Sequence, residues 1–104
     1  MVERPIGDNA QDFGLTEQFV GAVGLSSTAL PASPGNPIAT CLIRCPNQTP
    51  NTKILSYSFD NVTFHTLGPG EFIAWSLKGN LTQIYLKGNV ASVNYEVTLN
   101  REPT

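Results

Sequence analysis

The sequence predicts an all-β protein, a small antiparallel β-sandwich or jelly-roll-like barrel with an extended N-terminal arm. Three observations carry this. Ala91, Val93, Tyr95, Val97 and Leu99 alternate with Ser92, Asn94, Glu96, Thr98 and Asn100, the period of two that marks a strand with one dry face. Shorter alternating runs recur upstream, separated by Gly, Asn and Pro, as in a chain of strands and turns. No stretch carries apolar residues at the three- and four-residue spacing of an amphipathic helix, so helix is expected to be nearly absent.

The chain divides near residue 37. Residues 1–37 read as an extended arm with one possible short strand over 19–25, and residues 38–104 as the antiparallel domain. Before Asn36 stand Glu3, Asp8, Asp12 and Glu17 against Arg4, and no charged side chain lies between Glu17 and Arg44. Gly21, Gly24, Pro31, Pro34, Gly35 and Pro37 interrupt that uncharged stretch. A helix is excluded there, because an interior proline costs about 3 kcal/mol. A freely solvated tail normally carries charge. An uncharged and partly apolar arm points instead to ordering against a neighbour, with Phe13, Leu15, Phe19 and Val20 as its contacts.

In the domain, Ala39, Cys41, Ile43 and Cys45 form one face of a run. Leu55, Tyr57 and Phe59 form the next. Asp60-Asn61 suits a two-residue hairpin, since both residues tolerate positive φ. Val62 and Phe64 then share a dry face, with His65 on the wet one. Gly68-Pro69-Gly70 makes a tight corner. Ile73, Trp75 and Leu77 alternate with Phe72, Ala74 and Ser76, and because both sets are fairly apolar the run reads as a central strand with Trp75 in the core. Ile84 and Leu86 alternate with Gln83, Tyr85 and Lys87, which makes Tyr85 the best exposed aromatic and a candidate surface contact.

The composition bounds the function. The 104 residues fit one domain; 40% are hydrophobic and only 13% charged, against roughly 25% in a typical soluble domain. The net charge of −2 lacks the basic footprint of a nucleic-acid binder. No run of apolar residues is long enough for a membrane-spanning helix. The opening MVERPIGDNAQDF does not read as a secretory signal, so we expect synthesis in a reducing cytoplasm, where the three Asn-x-Thr triplets at Asn47, Asn61 and Asn80 stay unglycosylated. Four residues along a strand separate the Cα atoms of Cys41 and Cys45 by roughly 13 Å, beyond the reach of a disulfide at about 4.4–6.8 Å. They read as two small buried thiols. His65 is the one histidine, and no nucleophile elbow is present. We expect no enzyme activity, no catalytic residues, no metal and no cofactor.

The second half carries a resemblance. Ser58-Phe59-Asp60, Leu67-Gly68-Pro69-Gly70-Glu71, Ile84-Tyr85-Leu86-Lys87-Gly88 and Val93-Asn94-Tyr95-Glu96-Val97 occur in an order similar to that in a class of short bacteriophage virion proteins. The resemblance spans residues 54–99, under half the chain. It implies a capsid-associated role: a decoration or cement protein, or another small head or tail component, resident in the virion after synthesis in the host cytoplasm. The implied partner is the major capsid protein or another virion protein. Homo-oligomerisation is expected too, as a trimer if lattice symmetry sets the number. The alternative is a carbohydrate- or receptor-binding sandwich from a tail fibre or adhesin, with Tyr85 and the loops near residues 47–51 and 80 as its site.

Overall fold

The computed structural model describes residues 16–32, 35–77 and 81–101. They form eight strands: β1 Thr16–Val23, β2 Thr28–Leu30, β3 Ile38–Arg44, β4 Leu55–Ser58, β5 His65–Leu67, β6 Phe72–Ser76, β7 Ile84–Gly88 and β8 Val93–Arg101. No helix occurs among the described residues. Two four-stranded antiparallel sheets face each other, ordered β1-β8-β3-β6 and β2-β7-β4-β5. Every link except β4 to β5 carries the chain from one sheet to the other. This is the strand order of an eight-stranded jelly roll, in which two Greek keys are folded together.

Alternation along β8 supplies the middle of the core. Val93, Val97 and Leu99 point inward and are fully or almost fully buried, joined from β3 by Ile38, Cys41 and Ile43. Leu55 and Tyr57 of β4, with Ile84 and Leu86 of β7, close the layer from the opposite sheet. Burial of these side chains is the main stabilising term, at about 25 cal/mol per Å² of apolar surface. Gly88 is required by close packing: a Cβ there would lie 2.5 Å from Val93 Cγ2. Cys41 and Cys45 are free and buried in this layer, as their spacing predicts. Burial pushes the Cys41 thiol up to about 11.

Residues 16–30 do not lie outside the domain. β1 pairs with β8 from Thr16↔Asn100 to Val23↔Val93, and β2 pairs with β7. Val23 and Leu30 enter the core. The boundary expected at residue 37 is therefore corrected: the sandwich already includes Thr16, the first described residue. The short strand expected over 19–25 is present but begins earlier, at Thr16, and its inward row, Glu17, Phe19, Gly21, Val23, hides that start because it is not four apolar residues. Glu17 is inward because Arg101 Nε donates to its carboxylate at 2.5 Å. Gly21 is inward because the Tyr95 ring occupies its place, and a Cβ at Gly21 would sit 2.9 Å from Tyr95 Oη. Arg101 also donates to the carbonyls of Asn36 and Thr82, so one guanidinium ties together β1, β8 and two connections.

Side-chain amides extend both ladders past the ends of the strands. Where β3 has ended, Gln48 Oε1 accepts from the Asn94 N–H at 2.8 Å and Gln48 Nε2 donates to the Asn94 carbonyl at 3.3 Å. In the other sheet Asn89 does the same work, accepting from Ile54 N–H at 2.9 Å and donating to the Thr52 carbonyl at 3.0 Å. The corner at residues 68–70 forms as expected, with Gly70 at φ 82°. Glu71 Oε1 fastens it by accepting from the Gly68 N–H at 2.6 Å.

Two local expectations are corrected. The β4–β5 connection spans residues 59–64, not two residues, although Asn61 does take a positive φ of 61° within it. Val62 belongs to that loop and is exposed, so Val62 and Phe64 form no dry strand face. Phe64 instead lies beneath the ammonium of Lys87, 4.1 Å from the ring centre.

Candidate interaction surface

Strand β6 holds the largest exposed aromatic surface in the described protein. The apolar character of both its faces suggested a central strand, but it is the outermost strand of its sheet, next to β3. Phe72 is 63% exposed and Trp75 48% exposed. Trp75 is thus not a core residue. It does point to the inner side, opposite buried Cys41, but at the end of the sheet the facing layer covers it only in part. What it meets there is the edge of the Phe59 ring, at a centroid distance of 5.8 Å and 74°. Phe59 in turn contacts Tyr57, which contacts His65. This side of the sandwich is closed by a row of four rings, with Trp75 at its outer end.

Phe72 lies on the other side of β6, on the outer face of the sheet. Strand register sets the outer rows. Gln18, Thr98, Leu42 and Ala74 form one row, and Val20, Glu96, Arg44 and Phe72 the next. Leu42 is 40% exposed beside Phe72, and the two line a shallow depression with Arg44 and Gly70. The charges on this face, Arg44 and Glu96, are paired at 3.3 Å. A further row is knitted by hydrogen bonds, from Thr16 Oγ1 to Asn100 Oδ1 at 2.7 Å and from Asn100 Nδ2 to Thr40 Oγ1 at 2.9 Å. The face is a pleated plate that carries these paired polar groups together with exposed Phe72, Leu42 and Ala74 on its β3–β6 side and Val20 on β1.

Of the five contact residues expected from the sequence, the three that are described, Phe19, Val20 and Tyr85, do not form one site. Phe13 and Leu15 lie outside the described residues. Phe19 turns inward and packs on the core. Val20 is exposed on the outer face of β1, in the same row as Phe72 but three strands away, a separation of about 14 Å at the usual strand spacing. Tyr85 is half-buried on the outer side of the opposite sheet, between Ala29 and Ser58. Phe72 and Leu42 were missed because an outward apolar residue in an alternating strand is indistinguishable from an inward one until the neighbours are known. An unbroken run such as Phe72-Ile73-Ala74-Trp75 does signal that both faces are apolar, but not whether both are covered.

The Asp60 carboxylate is engaged in structure. Asp60 Oδ1 accepts from the N–H groups of Val62 and Thr63, each at 2.9 Å, and from Ser58 Oγ at 2.8 Å. These bonds favour the charged form and lower its pKa to about 2, so this carboxylate organises a turn and is unsuited to hold a proton for transfer. Among the described residues no three His, Cys, Asp or Glu side chains converge on a point that could hold a metal ion. What the outer face presents is a group of exposed apolar side chains, Phe72, Leu42 and Ala74, beside the Arg44–Glu96 pair. Neither the protein families nor the curated proteins compared with this chain give a match.

Proposed function

We propose that this protein is a structural component of a bacteriophage particle, a decoration or cement protein or another small head or tail part, which binds the assembled shell and stabilises it without catalysis. The observation that carries the reading is the outer face of the β1-β8-β3-β6 sheet, where Phe72, Leu42 and Ala74 lie exposed beside an internally paired Arg44–Glu96. An outward sheet face in contact with water is ordinarily polar. Clustered apolar groups on such a face mark a contact surface. The similarity of residues 54–99 to small virion proteins agrees with this, and jelly rolls serve in viral capsid and lectin domains alike.

Binding energy alone is sufficient for such a role. A shell presents the same surface many times, and many weak attachments to a repeating surface give strong net retention. The test is co-sedimentation with shells of the encoding phage. The full chain is expected to sediment with them, Leu42→Ser and Phe72→Ser to lose most of the binding, and Tyr85→Ala to keep it. A chain that stays in the supernatant but is retained on a glycan array would overturn the proposal in favour of a carbohydrate-binding module. Trp75, the more exposed ring, would then be the place to look before Tyr85.

A further inference from the structure

We infer that β6 is the edge through which two copies of this chain join, as an antiparallel β6–β6 pair with Ala74 on the twofold axis. Among the described residues the sandwich has four edge strands: β1, β6, β2 and β5. β2 and β5 are three residues long, one of the ways natural edges are kept from pairing. β1 carries an inward charge, Glu17, another such device. β6 has five residues, no charge and no proline, and its exposed rings add apolar surface to an unprotected ladder.

The phase of the ladder fixes the register. Leu77 N–H donates to the Ala39 carbonyl at 2.8 Å, and Cys45 N–H donates to the Glu71 carbonyl at 2.9 Å. Both contacts belong to the same β3–β6 register as Cys41↔Trp75 and Ile43↔Ile73. In an antiparallel pair, hydrogen-bonded and non-hydrogen-bonded positions alternate. Residues 71, 73, 75 and 77 therefore direct their backbone groups to β3, while Phe72, Ala74 and Ser76 direct theirs off the sheet. A second β6 can use all of these at once only if the same three residues of each copy are matched. With Ala74 opposite Ala74, Phe72 falls opposite Ser76 in both directions, and every outward N–H and C=O of the three residues finds a partner.

The side chains suit the same register. On the inner side it sets Ile73 of each copy opposite Trp75 of the other, at the closer-spaced non-hydrogen-bonded positions, which covers the half-exposed indole. An apolar pair of this kind, aromatic against β-branched, is among the favourable cross-strand combinations. The small Ala74 side chains meet at the axis on the outer side without crowding. The contact is isologous and closes as a dimer, in place of the trimer expected from lattice symmetry. It would join the two β1-β8-β3-β6 sheets into one eight-stranded plate with both adhesive outer faces on the same side.

The test uses the full chain in solution, with no shell present, so its outcome is independent of the proposed function. Sedimentation velocity is expected to show a concentration-dependent species of twice the 11.2 kDa chain mass. Trp75 is the single tryptophan, and its emission is expected to shift to the blue as the dimer forms. Ala74→Pro removes an N–H that makes no bond within the sheet, a position where an edge strand accepts proline. Ala74→Lys opposes two like charges at the axis and leaves the monomer untouched. Both variants are expected to stay monomeric and to lose the concentration-dependent emission shift, with unchanged far-ultraviolet circular dichroism for Ala74→Lys. A wild-type chain that stays monomeric up to millimolar concentration, a trimer, or a dimer that survives Ala74→Lys would overturn the inference.

Discussion

Strands β8 and β6 belong to the same sheet, separated only by β3, and they teach opposite lessons about apolar residues. In β8 the residues alternate strictly, and each inward one, from Val93 to Leu99, is buried. In β6 both faces are apolar and neither is fully covered. Alternation records a decision between two environments, water on one side and core on the other. Its loss in β6 means that the outward face is apolar as well, and does not require a second layer over it. A central strand and an exposed edge strand can therefore carry the same residues.

The comparison makes stability predictions that can break it. The largest effect should come from β8: Leu99→Ala empties a fully buried site and is expected to cost about 2–5 kcal/mol in urea unfolding. A cost below about 1 kcal/mol would mean that β8 is not the centre of the core. Arg101→Ala, at the end of the same strand, removes a side chain that is 7% exposed and bonded to Glu17, Asn36 and Thr82. Because Glu17 is itself partly solvated, the expected loss is about 1–3 kcal/mol, checked by the same measurement.

In β6 the effects should be smaller. Trp75→Ala, measured at a concentration where the chain is monomeric, forfeits the edge contact with Phe59, worth about 0.5–1.5 kcal/mol beyond area burial, but not the full cost of a buried aromatic. Tyr57→Ala, from the buried middle of the same ring row, should exceed it clearly, and equal melts for the two would return Trp75 to the core. Phe72→Ala should change monomer stability by no more than about 0.5 kcal/mol, as for a surface side chain, while weakening attachment to a partner. That split between stability and binding is the sharpest distinction between an edge built for contact and one that merely frays.

The smallest effect belongs to the β4–β5 turn and depends on pH. Hydrogen bonds from Thr63, Val62 and Ser58 hold Asp60 at about 2, below its ordinary 3.8. A carboxylate with a lowered native pKa adds stability that is fully present above the ordinary value and is lost as the pH falls toward the native one. The stability difference between wild type and Asp60→Asn should therefore be constant above about pH 5 and shrink between pH 4 and pH 2. A difference that does not change across that interval would show that the turn holds without the charge.

Much of the architecture was legible in the residues. The period of two over residues 93–100, the buried free thiols and the corner at residues 68–70 follow from local rules, and each stands where those rules put it, while Ala91, expected as the first inward residue of the run, precedes β8 and is exposed. β2 was not legible, because three residues between glycine, serine and proline carry no period. β1 was legible only in part, as the short strand expected over 19–25, and its start at Thr16 was concealed by Glu17 and Gly21 on its inward row. Each is explained by a residue far along the chain, Arg101 for the one and Tyr95 for the other.

The candidate surface divides in the same way. That Phe72 through Trp75 is apolar on both faces is a property of the sequence. So is the absence of charge along it. Whether those faces are buried or exposed was decided only by the order of strands in the sheet, because burial depends on what packs alongside, and β6 has β3 on one side and no described strand on the other. Strand type is a matter of neighbours in sequence, which the chain itself specifies. Strand position is a matter of neighbours in space, which come into being only when the eight strands close on one another.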